Sequence, residues 1–229
     1  MVSRDLTWSV FRHLVRLGMS DRQSDLEKGR AYAEDERLSA FYERHLVDEC
    51  RYRAHERVAD MVASLARQGS HWLDVGAGTG LVGRALEIIG ADVVLAAVDI
   101  SSAMLDRIEC KLYQGRTQAD CRQPLPWSDQ TFDGALACGL FEHVDDAGPL
   151  FRELARLLKR GAPFIFTFPP SDAAAAQGKG LVAHHESDLR RQLEASGFAW
   201  LEQQDWPAYR DVRAGWVTYR HVRAERGRS

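Results

Sequence analysis

The sequence predicts an α/β fold: a doubly wound sheet of seven strands with helices on both faces, preceded by an N-terminal helical extension. Three observations carry this. From Trp72 onward, short apolar runs alternate with helical stretches, the signature of a parallel sheet covered by helices. A glycine turn, Gly76-Ala77-Gly78-Thr79-Gly80, joins the first of those runs to the helix after it. The 229 residues suffice for one such domain plus a modest extension.

The elements follow from local pattern. Residues 1–69 read as a helical extension or cover, 70–222 as the sheet domain, and 223–229 as a basic tail. Leu6, Val10, Leu14 and Leu17 recur at helical spacing and Gly18 stops that run. Ser24 to Tyr42 is polar with scattered aromatics, either a mobile cover or a loop plus helix. His45 to Leu65 carries Leu46, Cys50, Val58, Met61, Val62 and Leu65, which suits a helix packed on a sheet. Strands are expected at 71–75, 93–98, 114–119, 132–138, 163–168, 198–205 and 213–222. Helices are expected at 79–89, 102–110, 147–159 and 187–196. Ser102 and Ser187 suit N-caps, and Gly90, Gly161 and Gly197 follow helix ends as C-cap residues do. Ala173 to Ala176 belongs to a loop.

Composition narrows the function classes. Thirty basic residues against 33 acidic ones give no global field for nucleic acid or an anionic membrane. Arg220 to Arg228 is the local exception and reads as a solvated tail. No stretch reaches the length of a membrane span, and no signal-type apolar region follows Met1. Cys50, Cys110, Cys121 and Cys138 lack C-x-x-C spacing, so reduced thiols in a cytoplasmic protein are expected, with no zinc site.

The glycine turn is the strongest functional signal. Glycines between a strand and a helix let a ligand lie against backbone N–H groups where a Cβ would block it. Asp74 puts an acidic group at the mouth of the turn, which suits a cationic ligand better than a pyrophosphate. A dinucleotide fingerprint would read G-x-G-x-x-G; here the pattern is D-x-G-x-G-x-G, and Asp99 closes the next strand, Val93 to Val98. The alternative is a tight turn that binds nothing. The pattern resembles motif I and the following ribose-binding acid of class I S-adenosylmethionine (SAM)-dependent methyltransferases. That resemblance implies a Rossmann-like class I methyltransferase sheet. In doubly wound sheets ligands sit at the carboxyl ends of the strands. Asp74, Asp99, Asp120 and Cys138 each stand at such an end and should converge.

The resemblance also implies a cofactor, SAM, with S-adenosylhomocysteine as product, and roles for particular residues. Asp74, Gly76, Ala77, Gly78 and Gly80 form the loop against the cofactor. Asp99 accepts from the ribose diol, and Ile100 and Met104 sandwich the adenine. Asp120 with Cys121 resembles the position that reads the adenine amino group, the alternative being that Asp120 caps a turn. Asp133 begins the fourth strand away from the ligand end, and its counterpart is structural. Phe132 to Val144, F-D-G-A-L-A-C-G-L-F-E-H-V, resembles motif IV of the small-molecule branch, where Cys138, Gly139 and Leu140 line the methionine side. His143 is either a general base, since imidazole titrates near physiological pH, or a residue that fixes the loop. Related phenol O-methyltransferases bind a metal through a further Glu three residues before the Glu-His pair. Gly139 stands there, so no metal is expected.

Two resemblances lie outside this core. Tyr32 and Arg53 precede Asp74 much as an aromatic and an arginine do in glycine N-methyltransferase, where they hold the aminoacyl end of the cofactor. Arginine is the natural bidentate partner of its carboxylate, and Arg51 is the competing position. Tyr32, Phe41-Tyr42, Tyr52-Arg53-Ala54, Leu112-Tyr113-Gln114, Pro124-Leu125-Pro126 and Val217 to Val222 are similar to the methyltransferase-like family named for the Williams–Beuren chromosomal region, which the F-E-H-V loop departs from. His184 and His185 precede a helix near the expected acceptor pocket, as bases or as capping and surface residues. Trp206, Tyr209 and Trp216 form an aromatic wall or the core of the last hairpin.

The function implied is methyl transfer from SAM to an oxygen or nitrogen nucleophile of a small molecule in the cytoplasm. A methyltransferase acting on protein or RNA, or a non-catalytic SAM-binding regulator, are the rivals. Residues 138–141 read Cys-Gly-Leu-Phe rather than the Asn/Asp-Pro-Pro-aromatic tetrad of many base N-methyltransferases, and no basic recognition stripe is present. Residues 1–30 fit a lid, a dimerisation arm or an acceptor-specificity element, and oligomeric state is not encoded in any motif.

Overall fold

A computed structural model describes residues 43, 45–170, 182, 184–211 and 215–228. Tyr32, the helical spacing of Leu6 to Leu17, the Ser24–Tyr42 stretch and the Ala173–Ala176 loop lie outside the described residues.

The elements run α1 (Ala54–Leu65), β1 (Ser70–Val75), α2 (Leu81–Ile88), β2 (Val93–Asp99), α3 (Ser102–Leu105), β3 (Tyr113–Gln118), β4 (Gly134–Ala137), α4 (Gly148–Leu157), β5 (Pro163–Phe168), α5 (Glu186–Ala195), β6 (Phe198–Asp211) and β7 (Gly215–Arg226). A 3-10 turn, Phe141–His143, follows β4. The seven strands form one sheet in the order β3-β2-β1-β4-β5-β7-β6. Strand order reverses between β1 and β4, and such a switch point is where a doubly wound sheet opens a crevice for a ligand.

Side-chain alternation along the strands divides the core into two faces. Leu73, Val75, Ala135, Ala137, Phe164, Phe166 and Phe168 face α4 and α5, meeting Leu150, Phe151, Leu154, Leu189 and Leu193. The alternate residues Trp72, Leu95, Ala97, Leu136 and Ile165 face α1 and α2, meeting Val58, Val62, Val82 and Leu86. Burial on both faces explains why these central strands read as continuous apolar runs.

The parallel expectation holds for five strands and fails for two. β1 pairs in parallel with β2 and β4, β2 with β3, and β4 with β5. β7 runs antiparallel to both β5 and β6. Residues 212–214 alone connect β6 to β7, and a connection that short joins only antiparallel strands. β6 runs past the expected end at 205 through Pro207, which an edge strand tolerates next to a register shift. β7 continues to Arg226, so residues 223–226, expected in a solvated tail, belong to the sheet.

Other expectations are corrected locally. The helix expected over 102–110 spans only Ser102–Leu105, because Arg107 and Ile108 close tighter turns onto the carbonyls of Met104 and Leu105. Its N-cap is Ser101, whose hydroxyl accepts from the Met104 amide at 3.2 Å, not Ser102. His185, not Ser187, occupies the N-cap position of α5. The continuous helix expected over 45–65 breaks before Ala54, where Arg51 takes a φ of 51°. The reason is pairing with the last hairpin: the Arg53 amide donates to the Ala208 carbonyl at 2.7 Å, and Arg210 donates to that of Cys50.

Candidate active site

The strand ends come together as the topology requires. Across β3, β2, β1 and β4 the sheet order lines up Asp120, Asp99, Asp74 and Cys138. Between β1 and α2, Gly76 and Ala77 donate their amides to the Val98 carbonyl, and Gly80 donates to that of Ala77. Gly76 holds a φ of 69°, which favours glycine, and a Cβ there would stand 2.9 Å from Leu140 Cδ1, so that side chain would have to shift. The outer side is open: a Cβ at Gly78 would meet nothing within 4 Å.

Asp99 is bound into this loop. Its Oδ2 accepts from the Gly78 amide at 2.8 Å and its Oδ1 from the Ser101 amide at 2.9 Å. Burial raises its carboxyl above the usual range, and these two amides oppose the rise. The Ile100 amide adds a third such contact, and with about four lone-pair sites the carboxylate keeps room for a further donor. The same carboxylate feels His143, which lies exposed on the 3-10 turn and close enough for its charge to favour the ionised form. Ile100 is half-buried beside it, and Met104 is buried on α3.

Asp74 is nearly inaccessible at 2% exposure, and burial pushes its carboxyl up to about 7. The Tyr113 hydroxyl donates to its Oδ2 and opposes that rise, whereas Asp99 reinforces it. Tyr113 was not among the residues expected here. Its ring lies so close to Gly83 of α2 that any side chain at that position would collide with it.

The remaining expected residues are placed unevenly. Asp120 forms a bidentate pair with Arg122, each oxygen 3.0 Å from the guanidinium, while Oδ1 also accepts from the Arg122 amide. Burial alone would raise its carboxyl, but the guanidinium holds it below the usual value. This is the geometry of the turn-capping alternative. Cys121 and Cys138 are both pushed up to about 12 by burial, so neither is a thiolate nucleophile. The Gly139 amide donates to Thr167 Oγ1 at 3.0 Å, and Tyr52 Oη lies 3.3 Å from Cys138 Sγ. That contact brings residues 52–54 over the end of β4, although the Arg53 guanidinium itself rests on Glu56 at 3.3 Å. His184 is buried and its Nε2 donates to the Phe141 carbonyl at 2.8 Å, tying the segment before α5 to the 3-10 turn. His185 is exposed. Asp133 accepts from the His71 amide and pairs with Lys159 at the opposite end of β4. Trp216 is exposed, whereas Tyr209 packs edge-on against Tyr219 in the hairpin. A cavity of about 350 Å³ between α1 and the last hairpin, lined in part by Arg57, Asp60, Gln204 and His221, involves none of the strand-end loops.

Residues 73–166 match the family described as a methyltransferase domain, and that match runs from the glycine loop to the end of β5. They carry a methyltransferase domain, matched over under half of the chain. The chain is 28% identical over 155 residues to "O-methyltransferase resE" of Aspergillus sclerotiorum, covering 60% of this chain and 58% of that protein. It is 30% identical over 160 residues to "Ubiquinone biosynthesis O-methyltransferase" of Xanthomonas oryzae pv. oryzae, covering 62% and 65%. The chain thus spans under two thirds of the length of these relatives. Its fold is similar to that of magnesium protoporphyrin IX methyltransferase from Synechocystis PCC 6803, solved with bound S-adenosylhomocysteine, at a TM-score of 0.66 and 19% identity over 89% of this chain and all of that one.

The cofactor of this domain class is SAM, and the methyltransferase domain has the donor set to hold it. A buried carboxyl at the mouth of the loop suits a cation, the carboxylate of Asp99 suits a diol, and a Cβ at Gly78 would meet nothing within 4 Å. Among the described residues no group of three His, Cys, Asp or Glu side chains is arranged to hold a metal, and no helix is long and apolar enough to cross a membrane.

Proposed function

We propose that this chain transfers a methyl group from SAM to an oxygen or nitrogen of a small molecule. The observation that carries the reading is the lock between the glycine loop and Asp99, in which the amide of Gly78 and the acid ending β2 form one unit. The names of the relatives, O-methyltransferases that include one of ubiquinone biosynthesis, support a small hydroxylated acceptor.

SAM supplies an electrophilic methyl on a sulfonium. The rest is positioning by this chain. Asp99 accepts from the ribose diol while the loop amides hold its carboxylate in place. Ile100 and Met104 pack on the adenine. Asp74, ionised in the presence of a cation, faces the charged end of the cofactor. Gly76, Ala77 and Gly80 keep the turn tight, and Cys138 and Gly139 line the methionine side. Arg53 takes the cofactor carboxylate by leaving Glu56, an exposed pair that costs little to break. Tyr32 joins it from the N-terminal region. Asp120 contributes its backbone and that of Cys121 to the adenine edge, its carboxylate being engaged by Arg122.

His143 is the proposed general base for a hydroxyl acceptor, as it is exposed at the crevice. His184 and His185 are the lesser candidates: the first is committed to Phe141 and positions the turn, and the second stands at the helix start. None of the four cysteines is in a disulfide, which fits a reducing cytoplasmic setting. The reading includes no nucleic-acid partner and no membrane.

Incubation with methyl-labelled SAM and separated cell fractions tests this. Label is expected in the small-molecule fraction. Label in RNA or protein would favour a macromolecular acceptor, and saturable SAM binding with no transfer to any fraction would favour a regulatory role.

A further inference from the structure

A second polar cluster lies against the end of β4, beside the glycine loop but not part of it. Glu142, on the 3-10 turn, is only 6% exposed. Its Oε1 accepts from the Tyr219 hydroxyl at 2.8 Å, whereas its Oε2 is fully buried and has no hydrogen-bond partner. Tyr52 approaches from the segment before α1, with its hydroxyl on Cys138. Both groups border Gly139: a Cβ there would stand 3.0 Å from Tyr52 Oη and 3.5 Å from Glu142 Oε1. Next along the chain, Leu140 packs against Gly76 of the loop, so the cluster and the cofactor loop are contiguous.

Native proteins pair nearly all buried acceptors, because a desolvated oxygen without a donor costs about 1–3 kcal/mol. Glu142 Oε2 is such an oxygen, and the fold gives no internal account of it. Tyr219, arriving from β7, fixes the carboxyl so that the unpaired oxygen is held in one place rather than free to rotate onto a neighbour.

We propose that Tyr52, Glu142 and Tyr219 form the subsite for the methyl acceptor, with Glu142 Oε2 accepting a hydrogen bond from an O–H or N–H of that molecule. The proposal rests on the methyltransferase reading and deepens it. It restricts acceptors to molecules carrying a hydrogen-bond donor within reach of the methylated atom. Glu142 is then a specificity residue in contact with the acceptor, and Tyr219 a positioning residue acting through it. Sites built to pair a donor discriminate strongly against analogues without one, since the buried acceptor is otherwise left bare.

Calorimetric titration of the protein saturated with S-adenosylhomocysteine provides the test. The probes are catechol against 1,2-dimethoxybenzene, and benzylamine against benzyltrimethylammonium. The donor-bearing member of one pair should bind at least about tenfold more tightly, and the responding pair tells hydroxyl from ammonium acceptors. Glu142→Gln turns an N–H towards the ligand and should bring that preference near unity, with affinity for S-adenosylhomocysteine unchanged as the control for folding. Tyr219→Phe should reduce the preference by a smaller factor. Equal affinities within both pairs, a preference that survives Glu142→Gln, or no binding of any probe to the loaded protein would overturn the proposal. Failure of S-adenosylhomocysteine itself to bind would overturn the cofactor reading beneath it.

Discussion

The two halves of the strand-end crevice are built by different means. On the side of β1 and β2, the site is a short contiguous stretch whose backbone does the work: amides of Gly76 and Ala77 hold the turn on Val98, and Gly78 and Ser101 hold Asp99. On the side of β4 and β5, groups from far apart in sequence meet, with the side chain of Tyr52 on Cys138, the Gly139 amide on the Thr167 hydroxyl and the side chain of Tyr219 on Glu142. The first kind of site depends on conformations that few residues allow, and so leaves a motif. The second needs only that certain polar groups be brought together by the fold, and leaves almost none. The first half suits an invariant ligand, and the second a variable one.

The sharpest way to break the comparison is at the loop. Gly76→Val adds a side chain where φ is 69° and Leu140 stands in contact, and should cost about 2–5 kcal/mol of stability from backbone strain and overpacking together. Thermal denaturation measures this; a nearly unchanged midpoint would mean the loop is not the rigid half. Asp99→Ala should weaken SAM binding by about 10–100-fold, as it removes charge-assisted hydrogen bonds worth roughly 1.5–3 kcal/mol each, and calorimetry reads the change.

The buried carboxyl of Asp74 gives a pH signature. Because burial raises it to about 7, it holds a proton in the free protein below that pH, and a cationic ligand must displace it. SAM affinity should therefore fall by up to roughly tenfold per pH unit below about 7 and level off above it. For the free protein the sign is the reverse of the usual carboxylate case. The folded state binds the proton more tightly than the unfolded chain, so stability declines between about 4 and 7 as pH rises. Tyr113→Phe removes a hydrogen bond that favours ionisation and should move the break in affinity upward. Smallest of all, Arg53→Ala should weaken cofactor binding several-fold more than Arg51→Ala; equal effects would remove Arg53 from the site.

What the sequence made legible follows the same division. The alternation of strand and helix from Trp72 located all seven strands, since doubly buried strands read as apolar runs bounded by turn residues. The glycine loop and Asp99 were legible because φ restrictions and short-range hydrogen bonds are local. The full length of the β6–β7 hairpin was not, because Pro207 masks the continuation of β6 beyond residue 205. The break before Ala54 escaped for another reason: it is imposed by pairing with Ala208 and Arg210, residues about 150 positions away. Tyr113, Thr167 and Tyr219 left weak traces at most. Thr167 is a hydroxyl in the otherwise apolar run Phe164 to Phe168, and the second half of the crevice was marked in the sequence by the stretch Phe132 to Val144.

The central claim is that the ends of β1, β2 and β4 hold SAM. Calorimetric titration of the protein with S-adenosylhomocysteine tests it most directly. The account predicts saturable binding at one site per chain, weakened by Asp99→Ala and retained in Glu142→Gln. No detectable heat at millimolar ligand, or binding indifferent to Asp99, would contradict it.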